Sequence, residues 1–284
     1  MELRMLWPLE LLSRRRLSIL QAQKSQTHVA PGSYFRAMVA GETSRLIESF
    51  RGEPELHHPI RGRIKGITAF TRFIQEMGDW LREKNYSVDI LNLIVTGPRS
   101  VEEVVLTLDG PSGAIDMPIA IVSDRTPDGQ VLEMRMYFST WPLTGSHSLR
   151  PPLLQPDPDV KETGFVGDYQ RALASGDITA VVASFDNGGY FREPSGGTHI
   201  HRGAHELASL YEHFFSNGGG IRLEQCASTD DGRACAVEYN VVGWGRTTMS
   251  PQAGIAIYVR GASGKIAAAR IYDDVDAPIP SKQD

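Results

Sequence analysis

Tyr34-Phe35-Arg36-Ala37-Met38-Val39-Ala40-Gly41-Glu42 returns later in the chain as Tyr169-Gln170-Arg171-Ala172-Leu173-Ala174-Ser175-Gly176-Asp177, a shift of 135 residues. The same shift carries Phe50 to Phe185, Pro59 to Pro194, Arg135 to Arg270 and Tyr137 to Tyr272. It holds from the first helical pattern to the last strand-like one, so the chain contains two copies of one domain. The period is too long for a solenoid. Where the copies differ, the difference carries the evidence for function.

A chain of 284 residues, 41% of them hydrophobic, has enough apolar material for two cores. The net charge is −5 with both signs interspersed, which argues against a nucleic-acid partner. No apolar run approaches the roughly 18 residues of a membrane span. Cys226 and Cys235 are the only cysteines. They lie in apolar strand-like stretches without metal-ligand spacing, and read as reduced structural thiols. Residues 1–30 have no counterpart before Tyr169 and form an N-terminal extension, either poorly ordered or one short amphipathic helix. Its apolar stretch precedes Arg14-Arg15-Arg16, the reverse of a secretory signal, so the expected location is cytoplasmic.

The expected organisation is a first domain over 31–149, a linker over 150–162, a second domain over 163–278 and a tail over 279–284. The linker holds four prolines between Arg150 and Asp159 and should be extended and semi-rigid. Each copy reads as helices first and strands later. In copy two, helices cover Val166 to Ala174 and Asp177 to Phe185, with Asp177 as a cap. A short strand runs from Tyr190 to Glu193. A third helix follows Gly203, with Leu207, Leu210, Tyr211, Phe214 and Phe215 on one face, matched in copy one by Ile67, Phe70, Ile74, Met77 and Leu81. Strands at Ile221–Ser228, Arg233–Gly243, Gly254–Arg260 and Lys265–Asp273 close the unit. The fold class is α+β, with three helices packed in a curved antiparallel sheet around a conical cavity in each domain.

The stretch from Tyr169 to Asp177, then Phe185, Phe191-Arg192-Glu193-Pro194-Ser195-Gly196 and Gly203, resembles the NTF2-like (cystatin-like α+β cone) superfamily, in its SnoaL-like and ketosteroid-isomerase-like branch. The resemblance covers both copies. That superfamily includes isomerases, polyketide cyclases, dehydratases, epoxide hydrolases and non-catalytic binders, and two such domains in one chain look like some epoxide hydrolases of polyether biosynthesis. The resemblance implies that Tyr169 donates to a developing oxyanion and that Glu193 abstracts a proton. The isomerases add an acid on the third strand, where this chain has Ile255-Ala256-Ile257. The second acid of the epoxide hydrolases should fall near Gly219-Gly220-Ile221, where Glu224 is offset.

The copies diverge at these positions. Copy one keeps Tyr34 but places His58 opposite Glu193. On the last strand Leu132, Met134, Met136 and Phe138 face Ala267, Ala269, Ile271 and Asp273 in the alignment. If this face looks inward, copy one is filled and copy two is hollow with an acid at its rim. Arg135/Arg270 and Tyr137/Tyr272 lie on the other face and should serve a sheet-on-sheet contact, an intramolecular pseudo-dimer. Asp273 is the candidate acid, with Asp274 replacing it if the register slips by one. Glu238 and Asn240 share a strand face that is either pocket or wet. His199 and His201 are rim groups without a third metal ligand. Trp244 is a packed or lid aromatic. His147, His205 and His213 are expected at the surface. The expected activity is cofactor-free acid–base chemistry (isomerisation, cyclisation, dehydration or epoxide opening) on a hydrophobic, oxygenated small molecule. The alternative is a non-catalytic small-molecule-binding or accessory pair.

Overall fold

The computed structural model describes residues 33–162, 164–196 and 199–279. The N-terminal extension over 1–30 and all but the first residue of the tail lie outside the described residues.

The first repeat opens with two short helices, α1 (Tyr34–Val39) and α2 (Thr43–Glu48). A hairpin of β1 (Glu55–His58) and β2 (Gly62–Lys65) leads into the long helix α3 (Ile67–Glu83). Strands β3 (Ser87–Val95), β4 (Arg99–Gly110), β5 (Gly113–Arg125) and β6 (Val131–Tyr137) follow as a meander. One further helical turn, α4 (Trp141–Thr144), ends the repeat. The second repeat repeats this plan: α5 (Gly164–Ser175), α6 (Ile178–Ala183), β7 (Phe185–Arg192), β8 (Ile200–Arg202) and α7 (Gly203–Phe214). Its meander is β9 (Ile221–Asp230), β10 (Ala234–Trp244), β11 (Thr247–Arg260) and β12 (Ile266–Tyr272).

The two six-stranded sheets have the same order, β2-β1-β6-β5-β4-β3 and β8-β7-β12-β11-β10-β9. The α+β tandem expectation holds, with one correction: the sheets are mixed. β1 runs parallel to β6, and β7 runs parallel to β12. The parallel pairing is possible because α3 and α7, with the strands after them, form the long crossover that parallel neighbours need. The three-residue strand β8 is too short to show a period and reads as loop in the sequence. On α3 the buried face is Phe70, Phe73, Ile74 and Leu81, while Ile67 at its first turn is exposed.

Gly176 separates α5 from α6 with φ +74, a conformation that disfavours any side chain. Asp177 then caps α6, its carboxylate accepting from the Ala180 amide at 2.9 Å. Asp177→Ala is expected to cost about 1 kcal/mol of stability. A urea titration that shows no shift in midpoint would contradict this role.

Each repeat has its own apolar core between helices and the inner sheet face. A third apolar cluster lies between the outer faces of the two sheets and includes Val101, Ala120, Val122 and Tyr137 opposite Ala236, Ile255, Ile257 and Tyr272. These pair off at the 135-residue shift, so the contact is a pseudo-twofold one. Arg135 donates to both Glu238 oxygens at 2.7 and 3.0 Å, and the Tyr137 hydroxyl donates to Glu238 at 2.6 Å. Symmetrically, Arg270 donates to both Glu103 oxygens at 2.7 and 2.5 Å, and Tyr272 donates to Glu103 at 2.6 Å. Burial alone would raise the Glu103 carboxyl; the Arg270 guanidinium, with the bonds from Arg270 and Tyr272, holds it below its ordinary value. Arginine and tyrosine were expected here from the sequence; Glu238 was expected to face a pocket or water. β10 puts it on the outer face, where it meets the other repeat. Asn240, on the same face, donates to the Leu154 carbonyl at 3.1 Å and lies 3.3 Å from Cys226 Sγ.

The proline-rich segment contains neither helix nor strand and runs along the second sheet. The Asp157 amide donates to the Gln225 carbonyl at 2.9 Å, and the Ala253 amide to the Arg150 carbonyl at 2.9 Å. Among the described residues no helix is long and apolar enough to cross a membrane.

Candidate functional site

The inner face of the second sheet, closed by α5 and α7, encloses a cavity of about 900 Å³. Small-molecule sites usually measure about 300–1,000 Å³ and combine apolar walls with a few polar groups. Three polar groupings face this cavity.

The first is a carboxyl at the end of β12. Alternation along the strand points Ile271 and Asp273 inward and Tyr272 and Asp274 outward. Asp273 Oδ2 accepts from the Tyr239 hydroxyl at 2.9 Å. Burial pushes the Asp273 carboxyl up to about 6, against a smaller lowering by Tyr239. Asp274 is no substitute. It points to the first repeat and accepts from Ser139 Oγ (2.5 Å), Thr140 N (3.0 Å), Thr140 Oγ1 (2.8 Å) and Ser148 N (2.6 Å).

The second is a phenol pair. Tyr169 on α5 and Tyr211 on α7 are both fully buried, with their hydroxyls 2.8 Å apart. Burial pushes both far above the ordinary tyrosine value, so both remain protonated. Two hydroxyls sharing one hydrogen bond use one proton between them and leave the other free to donate. The Tyr258 ring packs 5.4 Å from Tyr169.

The third sits where the β7–β8 hairpin opens. Glu193 follows β7 directly, and its amide donates to the His199 carbonyl at 3.0 Å. His201 Nε2 lies 2.6 Å from Glu193 Oε1, and both side chains are half-buried. The next turn reaches Gly196 at φ +112, where an added Cβ would lie 3.2 Å from the Asp116 carbonyl of the first repeat. The loop therefore packs directly against the other domain.

That domain also contributes walls. Trp141 on α4 and His147 line the cavity and stack on each other, centroids 4.8 Å apart at 27°. His147 Nδ1 lies 2.9 Å from Asp274 Oδ1, a contact that holds the imidazole above its ordinary value. The tandem arrangement thus completes the rim of the second cavity.

The structure brings Tyr169, Glu193, Asp273, His199, His201 and Trp244 to one cavity. Trp244 is buried in its wall and donates to the Phe214 carbonyl at 2.6 Å. Glu238 and Asn240 do not line it, for the alternation reason given above. His147 and His213 do line it, against the expectation of surface positions. Tyr239 and Tyr258 escaped the sequence reading, and Tyr211 was read only as part of the apolar face of its helix. Tyr239 sits between Glu238 and Asn240, so placing that pair outward would have placed it inward.

The first repeat is not solid. It holds a cavity of about 490 Å³, because Met136 and Phe138 line its wall without reaching across it. His58 lines this smaller cavity. Tyr34 does not: α1 presents Phe35 and Met38 to it and turns Tyr34 into the packing beside Phe35. Leu132, expected to share the inward face, is exposed.

Glu55, His57 and Glu133 cluster on the first sheet with metal-like spacing. Glu55 is already engaged by Arg63 at 2.6 Å and Lys65 at 3.0 Å, and the bond from Arg63 above all holds it down at about 2. Glu133 is bonded by Arg135 at 2.9 Å. The group is an ion-pair network.

Residues 166–269 match the model of the SnoaL-like domain family. None of the curated proteins matches the chain. Among solved structures, the chain is similar to SalBIII, an epoxide hydrolase/cyclase-like enzyme described for its role in pyran ring formation in the polyether salinomycin. Identity there is 15%, over 43% of this chain and 90% of that one, with a TM-score of 0.32. It is similar to an NTF2-like protein of Cytophaga hutchinsonii at 16% identity, over 39% and 87%, TM-score 0.31. A SnoaL-like protein of Burkholderia thailandensis is similar at 13%, over 38% and 91%, TM-score 0.33. The second repeat, over residues 166–269, thus matches the SnoaL-like domain family, and the first repeat is built on the same strand order.

Proposed function

We propose that the second repeat is the catalytic unit of an enzyme performing cofactor-free acid–base chemistry on a neutral, hydrophobic, oxygenated small molecule. The observation that carries this reading is convergence. One cavity gathers a carboxyl raised to about 6, a carboxylate–imidazole pair at 2.6 Å and a protonated phenol pair. A carboxyl poised near neutral pH in an apolar enclosure is suited to proton transfer.

Glu193, oriented by His201, acts as the base at the cavity mouth. The Tyr169–Tyr211 pair donates its free proton to the oxygen on which charge develops. Asp273, protonated below about 6 and held by Tyr239, delivers the proton. Isomerisation, cyclisation, dehydration and epoxide opening all use such a division between base, oxyanion donor and acid. Trp141 and His147 shape the entrance.

Native mass spectrometry of the purified protein identifies a bound compound, and turnover is then followed by liquid chromatography. Glu193→Gln and Asp273→Asn are each expected to lower kcat by about 10²–10⁴, the range for loss of a general acid or base. Unchanged turnover in both variants would remove the acid–base mechanism.

A non-catalytic binding pair is the second reading. It is favoured by Ala256, the core-facing residue of the Ile255–Ile257 stretch, where the isomerases that the sequence resembles carry an acid. A compound that binds tightly and leaves unchanged would decide for it.

A further inference from the structure

The first repeat poses a separate question. Close-packed cores leave few voids larger than a water molecule, yet this one keeps about 490 Å³. Its chemistry is not that of its sibling. The positions of Glu193, Asp273 and Tyr239 are taken by His58, Phe138 and Val104. Met38, Met77, Met117 and Met136 all line the wall. Methionine is flexible and polarisable and adapts to irregular apolar guests.

One buried polar group stands in this apolar wall, behind the exposed Arg61 and Glu76. His58 is buried, 3% exposed, and its ring is held edge-to-face by Phe73 and Phe138 at centroid distances of 5.2 and 5.3 Å. Its Nδ1 accepts from the backbone amides of Ile60 and Arg61, both at 3.2 Å. A nitrogen that accepts two N–H groups carries no proton, so the proton of the neutral ring sits on Nε2. Nε2 lies on the ring edge farthest from the backbone, and no acceptor engages it among the described residues. Burial keeps the ring neutral, its pKa lowered to about 3. Arg61 and Glu76 approach each other at 3.4 Å with both side chains more than half exposed, which marks the mouth. Ile60, 56% exposed, stands beside them as an apolar lip.

We infer that the first repeat is a second, non-catalytic binding site for a neutral, largely aliphatic molecule with one acceptor oxygen, which His58 Nε2–H engages as a fixed donor. A charged ligand would lose its hydration among apolar walls whose charged residues, Arg61 and Glu76, pair with each other at the mouth. A pure hydrocarbon would leave the donor unmet. The inference does not depend on catalysis in the second repeat.

The test uses the full chain with ¹³C-labelled methionine methyl groups. Among the described residues four methionines line the first cavity and none lines the second, so these signals report one site alone. Titration with 2-nonanone is expected to move the Met38, Met77, Met117 and Met136 signals to saturation. Nonane is expected to bind about tenfold more weakly, the discrimination one net hydrogen bond provides. His58→Phe should abolish that difference, and the comparison of ketone with hydrocarbon in the unmutated protein needs no variant. Methionine signals that stay fixed up to the solubility limit of the ketone would overturn the site. Equal binding of ketone and hydrocarbon would overturn the donor.

Discussion

Glu103→Ala is expected to lower the stability of the folded chain by about 3–5 kcal/mol, the cost of removing one partner from a buried ion pair. Glu103 is fully buried, and its loss strands the Arg270 guanidinium and the Tyr272 hydroxyl between two sheets. The remaining bond from Arg270 to Tyr190, at 2.9 Å, does not neutralise the charge. Replacing both members, Glu103→Leu with Arg270→Leu, should recover most of the loss, because an apolar pair of similar size avoids desolvating two charges. The acid limb has a definite sign. The folded state holds Glu103 below its ordinary value, so its contribution is present above the ordinary carboxylate range and fades as pH falls through the lowered value. Denaturant titration at neutral pH measures the effect. A loss below about 1 kcal/mol would show that the interface does not depend on this pair.

Asp273→Asn is expected to move stability the other way while it removes activity. The folded protein raises this carboxyl from 3.8 to about 6. At neutral pH it must ionise in a place that disfavours the charge. Each pH unit of such a rise corresponds to about 1.4 kcal/mol, which sets an upper bound of about 3 kcal/mol on the gain from the amide. The amide oxygen still accepts from Tyr239. The gain should be full above about pH 6, shrink as pH falls and be absent below about 4, where the wild-type carboxyl is protonated in both states. Thermal unfolding at pH 7.5 and at pH 4 separates the cases. Equal stability of variant and parent at pH 7.5 would show that Asp273 bears no such strain. A strained carboxyl kept in an apolar cavity is the signature of a group retained for chemistry.

The tandem plan was legible because both copies repeat the same helix opening and end in the same Arg-x-Tyr strand. The sheet-on-sheet role of that strand was legible too, since Arg135 and Tyr137 recur unchanged on the face opposite the diverged one. Its acidic partners were not recognised. Glu103 and Glu238 stand at the same 135-residue shift, but strand alternation reveals which residues share a face and not which face turns inward. That ambiguity misplaced Glu238 and Asn240 and hid Tyr239. The void in the first repeat was unreadable for a different reason: Met136 and Phe138 are bulky, yet sheet curvature decides whether bulky groups meet across a cone. Trp141 and His147 reach the second cavity from another domain, a contact no local pattern encodes. Glu193 was singled out because the difference between copies and the family resemblance pointed to the same position; Tyr169 came from the resemblance alone and Asp273 from the difference between the copies alone.

Proton transfer inside the second cavity is the step on which the proposed activity depends. The most direct measurement is the pH profile of kcat/KM for the compound the protein turns over, in the parent and in Asp273→Asn. With Asp273 as the acid, kcat/KM should fall about tenfold per pH unit above about 6 in the parent, and the variant should lack that limb. A parent profile that is flat from pH 5 to 8, or a limb that survives in the variant, would contradict it.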